Sequence, residues 1–88
     1  MTVIAKYTER FTEADIDDEI VIMRLDTGDF YSLSGTSAAI WRLIDGTRDR
    51  RSLLSALASE FDGDPDAMNK DVDDFLDNLR ELGLLAPN

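Results

Sequence analysis

Between Thr27 and Gly46 the chain changes its period, and this switch constrains the fold more than any other feature. Before it, apolar residues fall in short runs rich in β-branched side chains, as in strands. After it, they recur every three or four positions, as in helices. The order of elements follows: a small sheet first, then helices.

On the sheet side, Phe11 to Ile16 reads as a strand, with Phe11, Ala14 and Ile16 set among acidic residues. Asp17-Asp18 is a polar break suited to a turn. Glu19 to Leu25 is the clearest strand, carrying the run Ile20-Val21-Ile22-Met23. Asp26-Thr27-Gly28 then makes a short loop, and Asp29 to Leu33 returns as the far strand of a hairpin. The expectation is a three-stranded antiparallel meander. Residues two apart share a face of a strand, so Ile20 and Ile22 point one way and Val21, Met23 and Leu25 the other. Both faces are largely apolar. One packs on the helices, and the other calls for a cover, either the N-terminal arm or a partner. Met1 to Arg10, with Val3, Ile4 and Tyr7, reads equally as a short strand or as an arm over the sheet.

The helices are better marked. Ser34 or Thr36 caps the first, in which Ile40, Trp41, Leu43 and Ile44 form the apolar stripe and Gly46 is the stop. Asp49 is the cap expected for the second, with Leu53, Leu54, Leu57, Ala58 and Phe61 along one face and Gly63 as its break. Asp64-Pro65 opens the third, aspartate as cap and proline at the first helical position. Met68, Val72, Phe75, Leu76, Leu79 and Leu82 follow at helical spacing, and Gly83 ends the run. Leu84 and Leu85 are expected to fold back on the core, and Pro87-Asn88 reads as a tail. The predicted architecture is α+β, a winged helix-turn-helix-like arrangement of a three-stranded antiparallel sheet followed by three helices. The 88 residues carry no repeat and no linker and are read as a single domain, 1–88.

Composition removes several kinds of chemistry. The chain has no histidine and no cysteine, so a Ser-His-Asp arrangement, a thiolate metal site and a disulfide are all ruled out. Asp71, Asp73, Asp74 and Asp77 crowd the third helix, and Asp15, Asp17, Asp18 and Glu19 crowd a turn. Neither cluster has the glycine-bearing spacing of a calcium loop, so both read as solvated acidic surface. No catalytic residue, metal site or cofactor is expected. The net charge of −10 opposes phosphate binding. A winged-helix recognition helix would here present Asp66, Asp71, Asp73, Asp74, Asp77 and Glu81 to DNA against only Lys70 and Arg80. Nucleic acid is therefore excluded as a partner while the shape is retained. No stretch approaches the ~20 apolar residues of a membrane span. The first residues lack a basic region followed by a long apolar run, so a cytoplasmic protein without membrane contact is expected.

What remains is a sheet edge. In a three-stranded meander the first and third strands are edges, and on the third, the Phe30-Tyr31 strand, neither lysine nor proline blocks pairing. An extended peptide adds to such an edge through main-chain bonds.

The chain also resembles a known family over about Asp18 to Leu85. The matching pieces are Asp18-Glu19, Leu25-Asp26-Thr27-Gly28, Phe30-Tyr31-Ser32-Leu33, Ala39-Ile40-Trp41, Leu43-Ile44-Asp45-Gly46 and Leu53 with Leu57. Asp71-Val72, Phe75-Leu76, Leu79 and Gly83-Leu84-Leu85 complete the set. In order and spacing they are similar to the PqqD-like family, small peptide-recognition elements of ribosomal-peptide (RiPP) natural product biosynthesis. Tyr31-Ser32-Leu33-Ser34 and Ile40-Trp41 look closest to the stand-alone members of lasso-peptide clusters, although Ser34 stands where the family often has asparagine.

The resemblance implies that a precursor's leader segment adds antiparallel to the third strand. It would lie in a groove between that strand and the third helix. This places a peptide-binding site on Asp29, Phe30, Tyr31, Ser32 and Leu33, together with one flank of the helix. Asp71, Phe75 and Asn78 form one flank of its apolar stripe, and Asp73, Leu76 and Arg80 the other. The first is favoured because Asp71 and Phe75 match the family pattern. The implied protein is non-catalytic and presents the precursor to a leader peptidase or other modifying enzyme. The alternatives are a winged-helix protein-interaction module without nucleic-acid binding, and an enzyme subunit with a carboxylate metal site.

Overall fold

A computed structural model describes residues 3–61 and 63–86; the expected tail at Pro87-Asn88 and the first two residues of the N-terminal segment lie outside that range. Three strands, β1 (Phe11–Ile16), β2 (Glu19–Arg24) and β3 (Phe30–Leu33), are followed by three helices, α1 (Gly35–Leu43), α2 (Arg50–Glu60) and α3 (Pro65–Glu81). A 3-10 turn at Thr8–Arg10 leads into β1. The sheet is antiparallel in the order β1-β2-β3, the expected meander. Its register pairs Phe11 with Arg24 and Ile16 with Glu19 on one side, and Ile20 with Leu33 and Met23 with Phe30 on the other.

The pleat divides the sheet as its alternation requires. Phe11, Ile20 and Ile22 are buried against the helices, with Tyr31 and Leu33 packed partly on the same core. That core continues through Ile40, Trp41, Leu53, Leu57, Val72, Phe75, Leu76, Leu79 and Leu84. Trp41 sits where sheet and helices meet. Its ring lies edge-on to Phe11 with centroids 5.4 Å apart. Its Nε1–H donates to Glu13 at 2.6 Å, and the Lys6 ammonium lies 4.3 Å from its centroid. Burial there pulls the Lys6 pKa down, partly offset by the charges of Glu13 and Asp45.

The N-terminal segment takes neither of its expected forms. It makes a single bridge with the C-terminal segment, Lys6 to Leu85, flanked by Tyr7 N–H to the Leu84 carbonyl and Ala86 N–H to the Ala5 carbonyl. Ile4 is buried and its N–H donates to the Arg48 carbonyl. The arm therefore lies on the helical side, and the outer face of the sheet carries no cover among the described residues.

Helix ends follow their residues closely. Asp64 caps α3 by accepting the Asp66 N–H, with Pro65 at the first position. Gly83, at φ 72°, closes α3 with two bonds, Gly83 N–H to the Arg80 carbonyl and Leu84 N–H to that of Leu79. This is the left-handed cap that glycine adopts without a Cβ penalty, and it turns Leu84 into the core. Ser34 occupies the cap position of α1, but its hydroxyl makes no capping bond. That helix also ends earlier than expected, at Leu43, before Gly46.

Asp49 caps α2, its carboxylate accepting the Ser52 N–H at 2.8 Å. That bond holds the Asp49 pKa below the ordinary aspartate value. A depressed folded pKa adds stability above the unfolded value near 4, lost as the pH falls through the folded one. Asp49→Ala should lower the thermal midpoint at pH 7 by about 4–8 °C. Asp49→Asn should keep most of the midpoint and flatten its fall between about pH 5 and 3. Parallel melts followed by circular dichroism check both.

Three arginines of the helical half are paired internally. Arg42 pairs with Asp15, Arg48 with Asp45 and Arg50 with Asp73. Exposed pairs of this kind each contribute about 0–1 kcal/mol.

Candidate peptide-binding site

Both outer strands, β1 and β3, are sheet edges, and on β3 the hydrogen-bond phase shows which groups are open. Arg24 N–H donates to the Asp29 carbonyl at 2.9 Å, which makes that pair a bonded one. Bonded and non-bonded pairs alternate along an antiparallel ladder. In this register Ile22–Tyr31 and Ile20–Leu33 are then bonded pairs. The N–H and C=O groups of Phe30 and Ser32 therefore point away from β2, toward the open edge. Their side chains lie on the outer face: Phe30 is 68% exposed and packs beside Met23 and Val21, while the Ser32 hydroxyl reaches Glu19 at 3.4 Å. Tyr31 and Leu33 turn inward and fix the strand to the core. Asp29 ends the turn, its N–H donating to the Thr27 hydroxyl.

Asp71, Phe75 and Asn78 lie together, as helical spacing dictates. With Thr36, Ser37 and Ile40 of α1 and Asp74 of α3 they line a hollow of about 360 Å³. Its floor is apolar, through Ile40 and Phe75, and its α3 wall is acidic. The other flank of α3 faces different neighbours. Asp73 accepts from the Arg50 Nε at 2.6 Å, tying α3 to the start of α2, and Leu76 is buried in the core. The residues of β3 do not line the hollow; its inner wall is the first turns of α1, which leave Leu33 through Ser34 alone. Sequence reading missed Thr36, Ser37, Ile40 and Asp74. Asp74 and Asn78 are one turn apart on the flank of Asp71 and Phe75, a signal present in the sequence; the role of α1 depends on the tertiary packing.

Among the described residues no three acidic side chains come together as a cation site, and no helix is long and apolar enough to cross a membrane. The outer face of the sheet is a second exposed surface. Ala14, Val21, Met23 and Phe30 line a shallow depression there, with Ile16 and Leu25 also exposed.

The family model for coenzyme PQQ synthesis protein D (PqqD) matches residues 19–85. The chain belongs to the PqqD family. No curated protein matches it. Among solved structures, the chain described as TbiB1 in complex with the TbiA(beta) leader peptide is 27% identical. The match covers 100% of this chain and 98% of that one, with a TM-score of 0.82. A lasso peptide synthetase B1 complexed with the leader peptide shares the fold at a TM-score of 0.77, with 20% identity over 89% of this chain and 92% of that one. A PqqD-family domain thus here presents an open strand edge beside an acidic, apolar-floored trough.

Proposed function

We infer that this protein binds the leader segment of a ribosomally made precursor peptide and presents the precursor to a processing enzyme. The observation that carries this reading is the TbiB1 chain, matched over the whole length and solved with a leader peptide. The open groups of Phe30 and Ser32 support it, since they offer the main-chain bonds that an added strand requires. In this reading the leader pairs antiparallel with β3 and lays alternate side chains toward Asp71, Phe75 and Asn78. The protein does no chemistry itself. Its partner, a leader peptidase or another modifying enzyme, meets the uncovered outer face of the sheet, where Val21, Met23 and Phe30 offer the apolar area a protein interface needs.

The walls of the trough set a charge preference. Asp71 and Asp74 line it and no lysine or arginine does, so the leader carries at least one basic residue at the groove. Affinity for the cognate leader peptide should therefore fall as salt rises from 50 to 500 mM, by about threefold to tenfold for one or two screened pairs. Isothermal titration across that range checks it. Binding unaffected by salt would remove the electrostatic part of the reading, and absence of binding would remove the function.

A further inference from the structure

The N-terminal arm and the end of α1 enclose a small hollow apart from the trough. Ala5, Lys6 and Thr8 of the arm meet Ile44, Asp45 and Gly46 around a space of about 170 Å³. The trough reaches α1 at its start, through Thr36 and Ser37, whereas this hollow lies past its last residue, Leu43. The nine residues of the helix put about 13 Å between the two.

Lys6 is the unusual group in this lining. It is half-buried, and its ammonium lies 4.3 Å from the Trp41 ring centroid. It forms no salt bridge among the described residues. Two carboxylates act on it through their charge, Glu13 of β1 and Asp45 of the loop after α1. Both are committed elsewhere. Glu13 accepts from the Trp41 Nε1–H. One oxygen of Asp45 accepts the Thr47 N–H and hydroxyl, and the other accepts from Arg48.

A lysine ammonium is a strongly hydrated group with no acceptor of its own. Burial here removes water from it, and no carboxylate oxygen takes the water's place. The charged form is disfavoured, so the Lys6 pKa falls below the ordinary lysine value, although Glu13 and Asp45 act in the other direction. More of the side chain is then free amine at neutral pH, and the free amine is the nucleophile. The arm does not need an amine at this position to stay docked. Its bonds are main-chain bonds, Tyr7 N–H to the Leu84 carbonyl and Ala86 N–H to the Ala5 carbonyl. A perturbed titratable group beside an open hollow marks a functional position.

We propose that Lys6 is a modification site, acylated on Nζ by a small acyl donor of the acyl phosphate or acyl thioester class, with the acyl group seated in the hollow beside the arm. The amine attacks the acyl carbonyl carbon and a C–N bond forms. The C–O bond to phosphate or the C–S bond to the thiol carrier breaks, and the leaving group departs with the electron pair. The surplus proton on nitrogen passes to solvent, and nothing is oxidised or reduced. The hollow sets the choice of acyl group. It is smaller than the roughly 300–1,000 Å³ of a drug-sized site, so the chain is short. Ala5 and Ile44 give it apolar walls, and Asp45 opposes a second carboxylate. Acetyl and propionyl groups fit these walls, and a succinyl group does not. The amide product carries no charge, so it escapes the burial cost that the ammonium bears. Neither the site nor its test depends on leader binding.

The test is direct because Lys6 and the exposed Lys70 are the only lysines in the chain. The full chain is treated at pH 8 with acetyl phosphate in one arm and acetyl coenzyme A in another, and acylation of each lysine is timed by peptide mass spectrometry. Lys6 should react about threefold to tenfold faster than Lys70, and the excess should vanish in concentrated urea. An excess with either donor supports the site, and the donor that produces it identifies the source. Acetic and succinic anhydride, compared in the same way, read the choice of acyl group, with an excess at Lys6 expected for the first alone. Ala5→Leu fills the hollow and should bring the Lys6 rate down to that of Lys70 or below. Circular dichroism melts show whether this variant is folded, and the anhydride comparison keeps the test open if it is not. Equal or slower acylation of Lys6 with both acetyl donors, or an excess that persists in urea, overturns the site. An equal excess with succinic anhydride, or an unchanged Lys6 rate in folded Ala5→Leu, shows that the hollow does not seat the acyl group, and the proposal fails.

Discussion

Ser32→Pro should reduce leader affinity by about 30-fold or more while leaving the fold intact. The Ser32 N–H points to the open edge, where it would donate to the added strand, and proline removes it. The leader carbonyl left facing it loses its partner, which costs about 1–3 kcal/mol, and the proline ring adds steric conflict with the incoming chain. Because the Ser32 N–H is not directed at β2, the existing ladder keeps its bonds, and proline is compatible with an edge strand in that orientation. Tyr31→Pro is the contrasting substitution. Its N–H belongs to a bonded pair with Ile22, so it should damage the sheet itself. Titration with the leader, alongside thermal melts of both variants, separates the two effects. Unchanged affinity in a folded Ser32→Pro protein would show that the leader does not pair with β3.

The largest effect on stability should come from Trp41→Ala. The indole is 1% exposed and joins two other parts of the chain: β1, through Phe11 and Glu13, and the arm, through Lys6. Truncating a buried aromatic to alanine costs about 3–5 kcal/mol. A domain of this length has roughly 4–13 kcal/mol to lose, at 0.05–0.15 kcal/mol per residue. The substitution should therefore shift the urea midpoint by about a quarter of its value or more, and in a marginal case unfold the domain at 37 °C. Trp41→Phe should cost less, since it keeps the ring against Phe11 and loses the bond to Glu13. Urea titration followed by far-ultraviolet circular dichroism measures both without relying on the tryptophan signal.

Much of this architecture is legible in the sequence because each element is locally consistent. The run of β-branched residues at 20–22, the Asp49 cap, the Asp64-Pro65 start and the Gly83 stop each express a preference that the tertiary structure leaves alone. The misses occur where packing decides. Phe61 and Ala58 have the spacing of Leu57 but lie outside the core: Ala58 is exposed on the helix, and Phe61 falls just past the end of α2 at Glu60. The N-terminal arm carries apolar residues suited to either face of the sheet, and its course is chosen by its pairing with Leu84 to Ala86. The candidate site divides in the same way. The edge strand and one flank of α3 follow from period and resemblance, while the contribution of Thr36, Ser37 and Ile40 depends on how α1 crosses α3.

The pairing of Lys6 with Leu85 has a kinetic meaning apart from its bonds. Strands and helices in this chain mostly touch their neighbours in sequence, so most of the structure assembles through short loops that close quickly. The Lys6–Leu85 bridge closes a loop of about 80 residues, and its ordering entropy is recovered only after the rest is in place. It is thus a late-forming latch on an otherwise local fold. When it opens, Lys6 moves off Trp41 and the core loses part of its lid, while the β2–β3 hairpin that carries the open edge can stay paired. The open edge and the terminal latch are therefore built on different folding schedules, and the domain can loosen at its ends while holding β3 in place.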